Sequence, residues 1–241
     1  MPPLPAVHAR PAAHRPVDRS DAFLRHVEHP DFPCVGSKAA LAQDAIRTLE
    51  LAPLGSRDND AALLDGLASF ARHLAAQPID STGVHSMVAI FEGPTDTDEM
   101  RFEALLWSQL QRLHLLDVRR GHAWADDVSR DPDNPQFSLS LAGHPYFVIG
   151  LHPGASRLAR RFAWPAMVFN SHVQFDRLRS DGRYAKMQKA TRARDLALQG
   201  SINPNLADFG TAPETRQYSG RAVDAGWKCP FHTVKGASSR D

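Results

Sequence analysis

The sequence predicts an α+β fold: a single domain with a mostly antiparallel sheet, flanked by helices and followed by a long irregular C-terminal segment. Three observations predict it. Apolar residues recur at helical spacing early in the chain, short strand-like runs follow between residues 84 and 170, and periodicity stops beyond Gly200. No internal repeat interrupts this order, which favours one domain.

Five segments have the spacing of amphipathic helices. Ser37 can cap the first of them, and acidic residues in the first turn of the third complement the helix dipole. Asp181-Gly182 separates the last two. The predicted helices are Ser37–Leu51, Asp60–Ala76, Asp98–Leu116, Val173–Arg179 and Ala185–Leu198.

Four short runs have the composition of strands. A polar turn at Asp80–Gly83 precedes the first, and the proline-containing turn Arg130–Pro135 precedes the second. Gly143 lies between the second and third runs and predicts a hairpin. The predicted strands are Val84–Phe91, Phe137–Leu141, Pro145–Leu151 and Pro165–Asn170.

Both ends of the chain differ from this central part. Residues 1–19 are predicted to form a disordered Pro/Ala-rich tail and residues 235–241 a flexible C-terminus, which leaves a domain at residues 20–234. Beyond Gly200 the chain is irregular but contains Tyr218, Trp227 and Phe231. Aromatic side chains of this size predict that the segment packs back onto the domain.

Composition excludes several classes of protein. Lys and Arg number 28 against 27 Asp and Glu, so the charge balance argues against a nucleic-acid partner. No apolar run approaches the length of about 20 residues that spans a membrane. Two cysteines, Cys34 and Cys229, exclude a disulfide framework and favour a reducing, cytoplasmic location.

Histidine and cysteine are the residues most suited to bind a metal. His144 and His152 bracket one predicted strand at an even spacing, so their imidazoles can share a face, and His172 follows another strand. The sequence leaves open an alternative, in which His144 and His152 are ordinary turn histidines that precede prolines. Cys229 precedes a proline and can present a thiolate to haem iron, or it is a buried apolar side chain, as is also open for Cys34.

Charged residues form two further candidate sites. Glu92 ends a predicted strand and Glu103 lies early in the next helix, so the pair can converge on a cation, although carboxylates at a helix start also serve the helix dipole. Arg157 and Arg161 follow the strand that ends at His152 and can bind anionic groups.

Eight short motifs together resemble the YqcI/YcgG family, from Phe32 to His232. They are FPCV at Phe32, FEGP at Phe91, LLWxxLQxLHxxD from Leu105 to Asp117, GLHP at Gly150, FNxHxQF at Phe169, LQGSINP at Leu198, RQYSGR at Arg216 and WKCPFH at Trp227.

The resemblance implies a haem-dependent monooxygenase that N-hydroxylates the guanidino group of arginine or a related compound, with haem b, dioxygen or peroxide, and a separate reductase. It implies His152 as the first choice of iron ligand, then Cys229, His144 and His172. A non-catalytic haem-binding sensor or carrier is the alternative. The other implied roles are propionate binding by Arg157 and Arg161, guanidinium binding by the catalytic carboxylates Glu92 and Glu103, and stacking on the substrate by Trp107 or Tyr218.

Overall fold

The computed structural model describes residues 17–77 and 83–234. The tail predicted before residue 17, residues 80–82 of the predicted turn and the C-terminus at 235–241 lie outside the described residues. The helices are α1 (Arg19–Glu28), α2 (Val35–Ala42), α3 (Asn59–Ala75), α4 (Glu99–Arg119), α5 (His172–Ser180), α6 (Arg183–Gln199) and α7 (Thr215–Tyr218). The strands are β1 (Ile46–Leu51), β2 (Ser86–Phe91), β3 (Leu139–Leu141), β4 (His144–Leu151) and β5 (Ala166–Ser171).

The strands form one sheet in the order β1-β2-β5-β4-β3. β1 and β2 are parallel, and the other three neighbouring pairs are antiparallel. This arrangement confirms the predicted α+β class and the mostly antiparallel sheet.

The hairpin predicted at Gly143 is present. Leu141 pairs with His144, so the loop consists of Ala142 and Gly143, with φ of 53° and 70°. A two-residue hairpin whose central residues both have positive φ matches the twist of the strands it joins.

The two faces of the sheet have different surroundings. The α4 face carries Tyr146, Val148, Met167 and Phe169, which form the main core with α3 and α4. The α6 face carries Phe147, Ile149, Val168 and Asn170, over which α2, α6 and part of the C-terminal segment lie. Because side chains alternate along a strand, each strand contributes to both faces.

The predicted helix Ser37–Leu51 is wrong in its second half. The helix ends at Ala42, Asp44 adopts a φ of 52°, and β1 pairs with β2 along its whole length. The apolar residues Ile46 and Leu49 also fit helical spacing, but pairing with a strand about 40 positions away determines the backbone here.

The C-terminal segment packs on the domain as predicted. Tyr218 and Phe231 are fully buried in the main core, and the ring of Tyr218 stacks on Trp107 of α4 with centroids 5.5 Å apart. Among the described helices, none has the combination of length and apolar character that crossing a bilayer requires.

Candidate functional site

A cavity with two adjoining lobes lies between the α6 face of the sheet and helix α6. Each lobe has a volume of about 210 Å³. The two lobes share part of their lining, namely Cys34, Phe147, Ile149, Thr191 and Gln217. We name them the His172 lobe and the Arg157 lobe after the residue that distinguishes each.

The walls of the cavity explain why it stays open. β4 and β5 supply an apolar wall through Phe147, Ile149 and Val168. On the opposite side α6 buries none of its residues fully, in contrast to α3 and α4, because it covers a space instead of packing on the sheet. A large, mostly apolar cavity with a few polar groups is typical of a ligand site.

His172 lies where β5 passes into α5. The residue is only 3% exposed, and its Nδ1 lies 3.3 Å from the Asp176 carboxylate one turn further along α5. Its Nε2 is buried and has no hydrogen-bond partner among the residues that the structure describes. Burial lowers the pKa of His172, against the opposing effect of Asp176, and so favours the neutral imidazole. A carboxylate on one ring nitrogen and a free lone pair on the other are typical of histidines that bind metals.

Cys34 is a second group in the cavity that can bind a metal. It caps α2, and its Sγ accepts a hydrogen bond from the Ser37 backbone N–H at 3.4 Å. The FPCV motif and the cap position were the available sequence signals, but the sequence analysis left Cys34 without a role.

Of the two arginines predicted to bind anions, only Arg157 reaches the cavity. Its guanidinium is buried, pairs with Asp195 and donates to the Ser201 hydroxyl at 3.0 Å. Arg161 is exposed, and its Nε donates to the Ala155 carbonyl at 2.7 Å outside either lobe. Arg192 of α6 lines both lobes and supplies a further cation that the sequence analysis did not select.

The first-choice ligand, His152, lies on the other face of the sheet. Its ring stacks on Phe102 of α4 with centroids 4.3 Å apart, and within the described part of the chain its buried Nδ1 has no hydrogen-bond partner. His144 begins β4, eight residues earlier, so at about 3.3 Å per residue the two lie roughly 26 Å apart. The structure therefore does not bring them to one iron, and neither lines the cavity beside His172.

His144 has its own partner and setting. Its Nε2 lies 2.8 Å from the Ser171 hydroxyl, and burial lowers its pKa to about 4. Cys229, the second-choice ligand, lies in the main core, where burial raises the pKa of its thiol to about 12. In these surroundings Cys229 is a neutral, apolar side chain.

Glu103 already holds a guanidinium group, that of Arg221. Two parallel hydrogen bonds of 2.8 Å join them, and the hydroxyl of Ser219 and the indole N–H of Trp227 donate to the same carboxylate at 2.9 and 3.1 Å. Burial would raise the pKa of Glu103, but these hydrogen bonds outweigh it and hold the pKa below its ordinary value. The arrangement fastens the C-terminal segment to α4.

The remaining predicted substrate residues are not gathered at the cavity. Glu92 follows β2 as an exposed side chain and makes no side-chain hydrogen bond with any described residue, so the structure does not pair it with Glu103. Trp107 and Tyr218 stack on each other within the main core. Their aromatic faces pack against protein and are not presented to the cavity.

Glu214 is an acidic residue in the cavity that the sequence analysis missed. It precedes α7, lines the His172 lobe and is 4% exposed. Burial raises the pKa of its carboxyl group to about 8. Its position in an irregular Pro- and Thr-rich stretch gives no sequence signal for burial.

The residues around the cavity include the kinds of group that haem, which the resemblance implies, would use. Haem needs an apolar slot for its macrocycle, cationic groups for its propionates and a side chain that can bind iron. The α6 face of the sheet is apolar, and Arg157 and Arg192 line the cavity while pairing with Asp195 and Asp208. His172 is the lining side chain that can bind iron.

Comparison with known proteins adds two findings. The chain matches the model of the YqcI/YcgG family over residues 23–232. It is also 28% identical over 214 residues to the protein named "Uncharacterized protein YqcI" of Bacillus subtilis (strain 168), a match that covers 85% of this chain and 82% of that protein. No solved structure matches the chain.

Proposed function

Because the chain belongs to the YqcI/YcgG family, we propose that it is a haem-dependent monooxygenase that N-hydroxylates the guanidino group of arginine or a related compound. The observation that carries the proposal is His172, which lines an apolar cavity beside cationic residues and whose buried Nε2 has no hydrogen-bond partner among the described residues. Burying such a nitrogen without a hydrogen bond is costly, and binding to iron would remove that cost.

The residues of the cavity have separate tasks in this proposal. His172 would hold the iron while Asp176 fixes its ring, and Arg157 and Arg192 would bind the propionates. The apolar wall of β4 and β5 excludes water from the guanidino nitrogen of the substrate. Haem, when bound, supplies the oxidising chemistry.

The overall reaction converts a guanidino N–H into N–OH. With dioxygen, one oxygen atom enters the product and the other leaves as water, which requires two electrons and two protons from a separate reductase. With hydrogen peroxide as the oxidant, no external electrons are needed. The free thiols Cys34 and Cys229 support a reducing cytoplasmic location, where a reductase would be at hand.

A second candidate function is non-catalytic haem binding by a sensor or carrier. It is favoured by the presence of Cys34 and His172 in one cavity, since two protein ligands on one iron would leave no position for an oxidant.

The test is to express the protein with a haem precursor, confirm haem by absorption and incubate it with L-arginine. One arm contains a reductase system and dioxygen, and the other contains hydrogen peroxide. The proposal expects N-hydroxyarginine by mass spectrometry and a change of the Soret band on addition of arginine. Bound haem with neither response would favour the sensor or carrier, and failure to take up haem would reject both functions.

A further inference from the structure

Glu214 is the acidic side chain of the His172 lobe. Among the described residues that line this lobe no other is an Asp or Glu, and the arginines in the lining have carboxylate partners elsewhere. Arg179 pairs with Asp176, and Arg192 lies 2.9 Å from Asp208. Glu214 is therefore the acid in this lobe that is not committed to a salt bridge within the described residues.

The hydrogen bonds around Tyr218 are compatible with a neutral Glu214 as well as with an ionised one that accepts from the Tyr218 hydroxyl. Three polar groups contact the Tyr218 hydroxyl: the Leu139 N–H at 3.3 Å, the Tyr146 carbonyl at 3.2 Å and the Glu214 carboxyl. The hydroxyl has one hydrogen to donate. If that hydrogen goes to the Tyr146 carbonyl, Glu214 must donate its own proton to the hydroxyl oxygen, and all three contacts are then satisfied.

The surroundings of Glu214 support the neutral form. It is buried, and burial raises its pKa to about 8. The nearby ionisable groups come from α2, α5, α6 and α7 and include no cation free of a carboxylate partner among the described residues. They are Cys34, His172, Arg179, Tyr184, Arg192 and Tyr218.

We infer that Glu214 is the guanidinium-binding residue of the cavity, and that it releases its proton to solvent when a guanidinium cation binds. On ionisation, the Tyr218 hydroxyl turns its hydrogen from the Tyr146 carbonyl to the carboxylate. The free lone pairs of the carboxylate then accept from the ligand, since guanidinium and carboxylate form two parallel hydrogen bonds. The inference takes its substrate class from the proposed function and names the residue that recognises it.

The experiment is calorimetry of the haem-loaded full-length protein at pH 7 in two buffers that differ in ionisation enthalpy. L-arginine is the probe, and L-citrulline, whose side chain ends in a neutral urea, is the matched control ligand. We expect arginine to bind with release of close to one proton and citrulline to bind at least about tenfold more weakly with no proton release. Arginine affinity should rise about tenfold per pH unit from pH 6 to pH 7.5 and level off above pH 8.

Two variants identify the residue that releases the proton. In Glu214→Gln the side chain keeps its shape and can still donate to Tyr218, so the fold and the haem spectrum should be unchanged. Proton release should disappear, and affinity for arginine at pH 7.5 should fall by at least about tenfold. Glu92→Gln is measured in parallel because the sequence assigns the same role to Glu92. Loss of arginine binding in Glu92→Gln with normal binding in Glu214→Gln would overturn the inference.

The outcomes separate this inference from the proposed function. Haem uptake and arginine hydroxylation without proton release would overturn the role of Glu214 and leave the monooxygenase intact. Proton-linked arginine binding that depends on Glu214, in a protein without haem, would support the residue and reject the enzyme. Absence of arginine binding by haem-loaded protein would overturn the inference.

Discussion

Replacing Glu214 with Gln should change how the stability of the protein depends on pH. In the unfolded chain this carboxyl ionises near its ordinary pKa of 4.5, whereas burial raises the pKa to about 8 in the folded protein. Between these values unfolding releases a proton, so the wild-type protein loses stability as the pH rises through this range. Below pH 4.5 the contribution of the neutral Glu214 to the free energy of unfolding is fully present, and above pH 8 this contribution is lost.

The magnitude follows from the two pKa values. One pH unit within this range corresponds to about 1.4 kcal/mol, so the wild-type protein should lose about 2 to 3 kcal/mol between pH 6 and pH 9 through Glu214. Glu214→Gln cannot ionise and retains the shape of the neutral acid. Its free energy of unfolding should therefore gain about 2 to 3 kcal/mol over the wild type across the same interval.

The assay is urea unfolding of both proteins at pH 6, 7, 8 and 9, followed by tryptophan fluorescence and circular dichroism. Taking the difference between the two proteins removes the contributions of all other titrating groups. A difference that stays constant with pH would refute the protonated state of Glu214 and with it the interpretation of the Tyr218 hydrogen bonds.

Three further predictions concern residues that the structure places outside the cavity or at its edge. Glu103→Gln leaves the partly buried Arg221 without its carboxylate, so it should lower the free energy of unfolding by about 2 to 4 kcal/mol at neutral pH. Urea unfolding measures this loss, and haem absorbance should show an unchanged haem content. Iodoacetamide should modify Cys34 at pH 8 and spare Cys229, whose pKa burial raises to about 12, and mass spectrometry of the peptides will distinguish them. Cys229→Ala should cost about 1 to 2 kcal/mol of stability without loss of haem, whereas loss of haem in that variant would restore Cys229 as an iron ligand.

The sequence predicted those parts of the fold whose signals are local. The helices at α3 and α4, the hairpin at Gly143 and the return of Tyr218 to the core follow from spacing, turn residues and aromatic content. β1 is predicted as helix because Ile46 and Leu49, three residues apart, fit helical spacing. In the strand they lie on opposite faces, and pairing with β2 decides the backbone.

Helix α1 was not predicted at all. Phe23 and Val27 are one turn apart, but the stretch is short and follows a Pro/Ala-rich tail, so its local signal for a helix is weak. In the fold these two side chains pack against Val88 and Ile90 of β2, a contact between segments more than 60 positions apart. Tertiary packing stabilises a helix of this length more than its own propensity does.

The sequence predicted the types of residue in the candidate site better than it predicted which residues line the cavity. His172 and Arg157 are among the predicted cofactor residues and both line the cavity, whereas His152, the first choice that the resemblance implies, does not. His152 lies against α4 because α4 packs on that face of the sheet. A local sequence pattern does not determine which face a helix covers. Cys34 and Glu214 reach the cavity from segments 180 positions apart, so only the folded chain brings them together.

The most direct test of the account is to measure haem binding in His172→Ala and His152→Ala beside the wild type. Both variants remove a buried imidazole with an unpartnered nitrogen, so they are matched in chemistry, but only His172 lines the cavity. The account predicts a normal Soret band and haem content in His152→Ala and loss of both in His172→Ala, with the two variants equally folded by circular dichroism. Haem that is retained unchanged in His172→Ala and lost in His152→Ala would contradict the placement of the iron in this cavity.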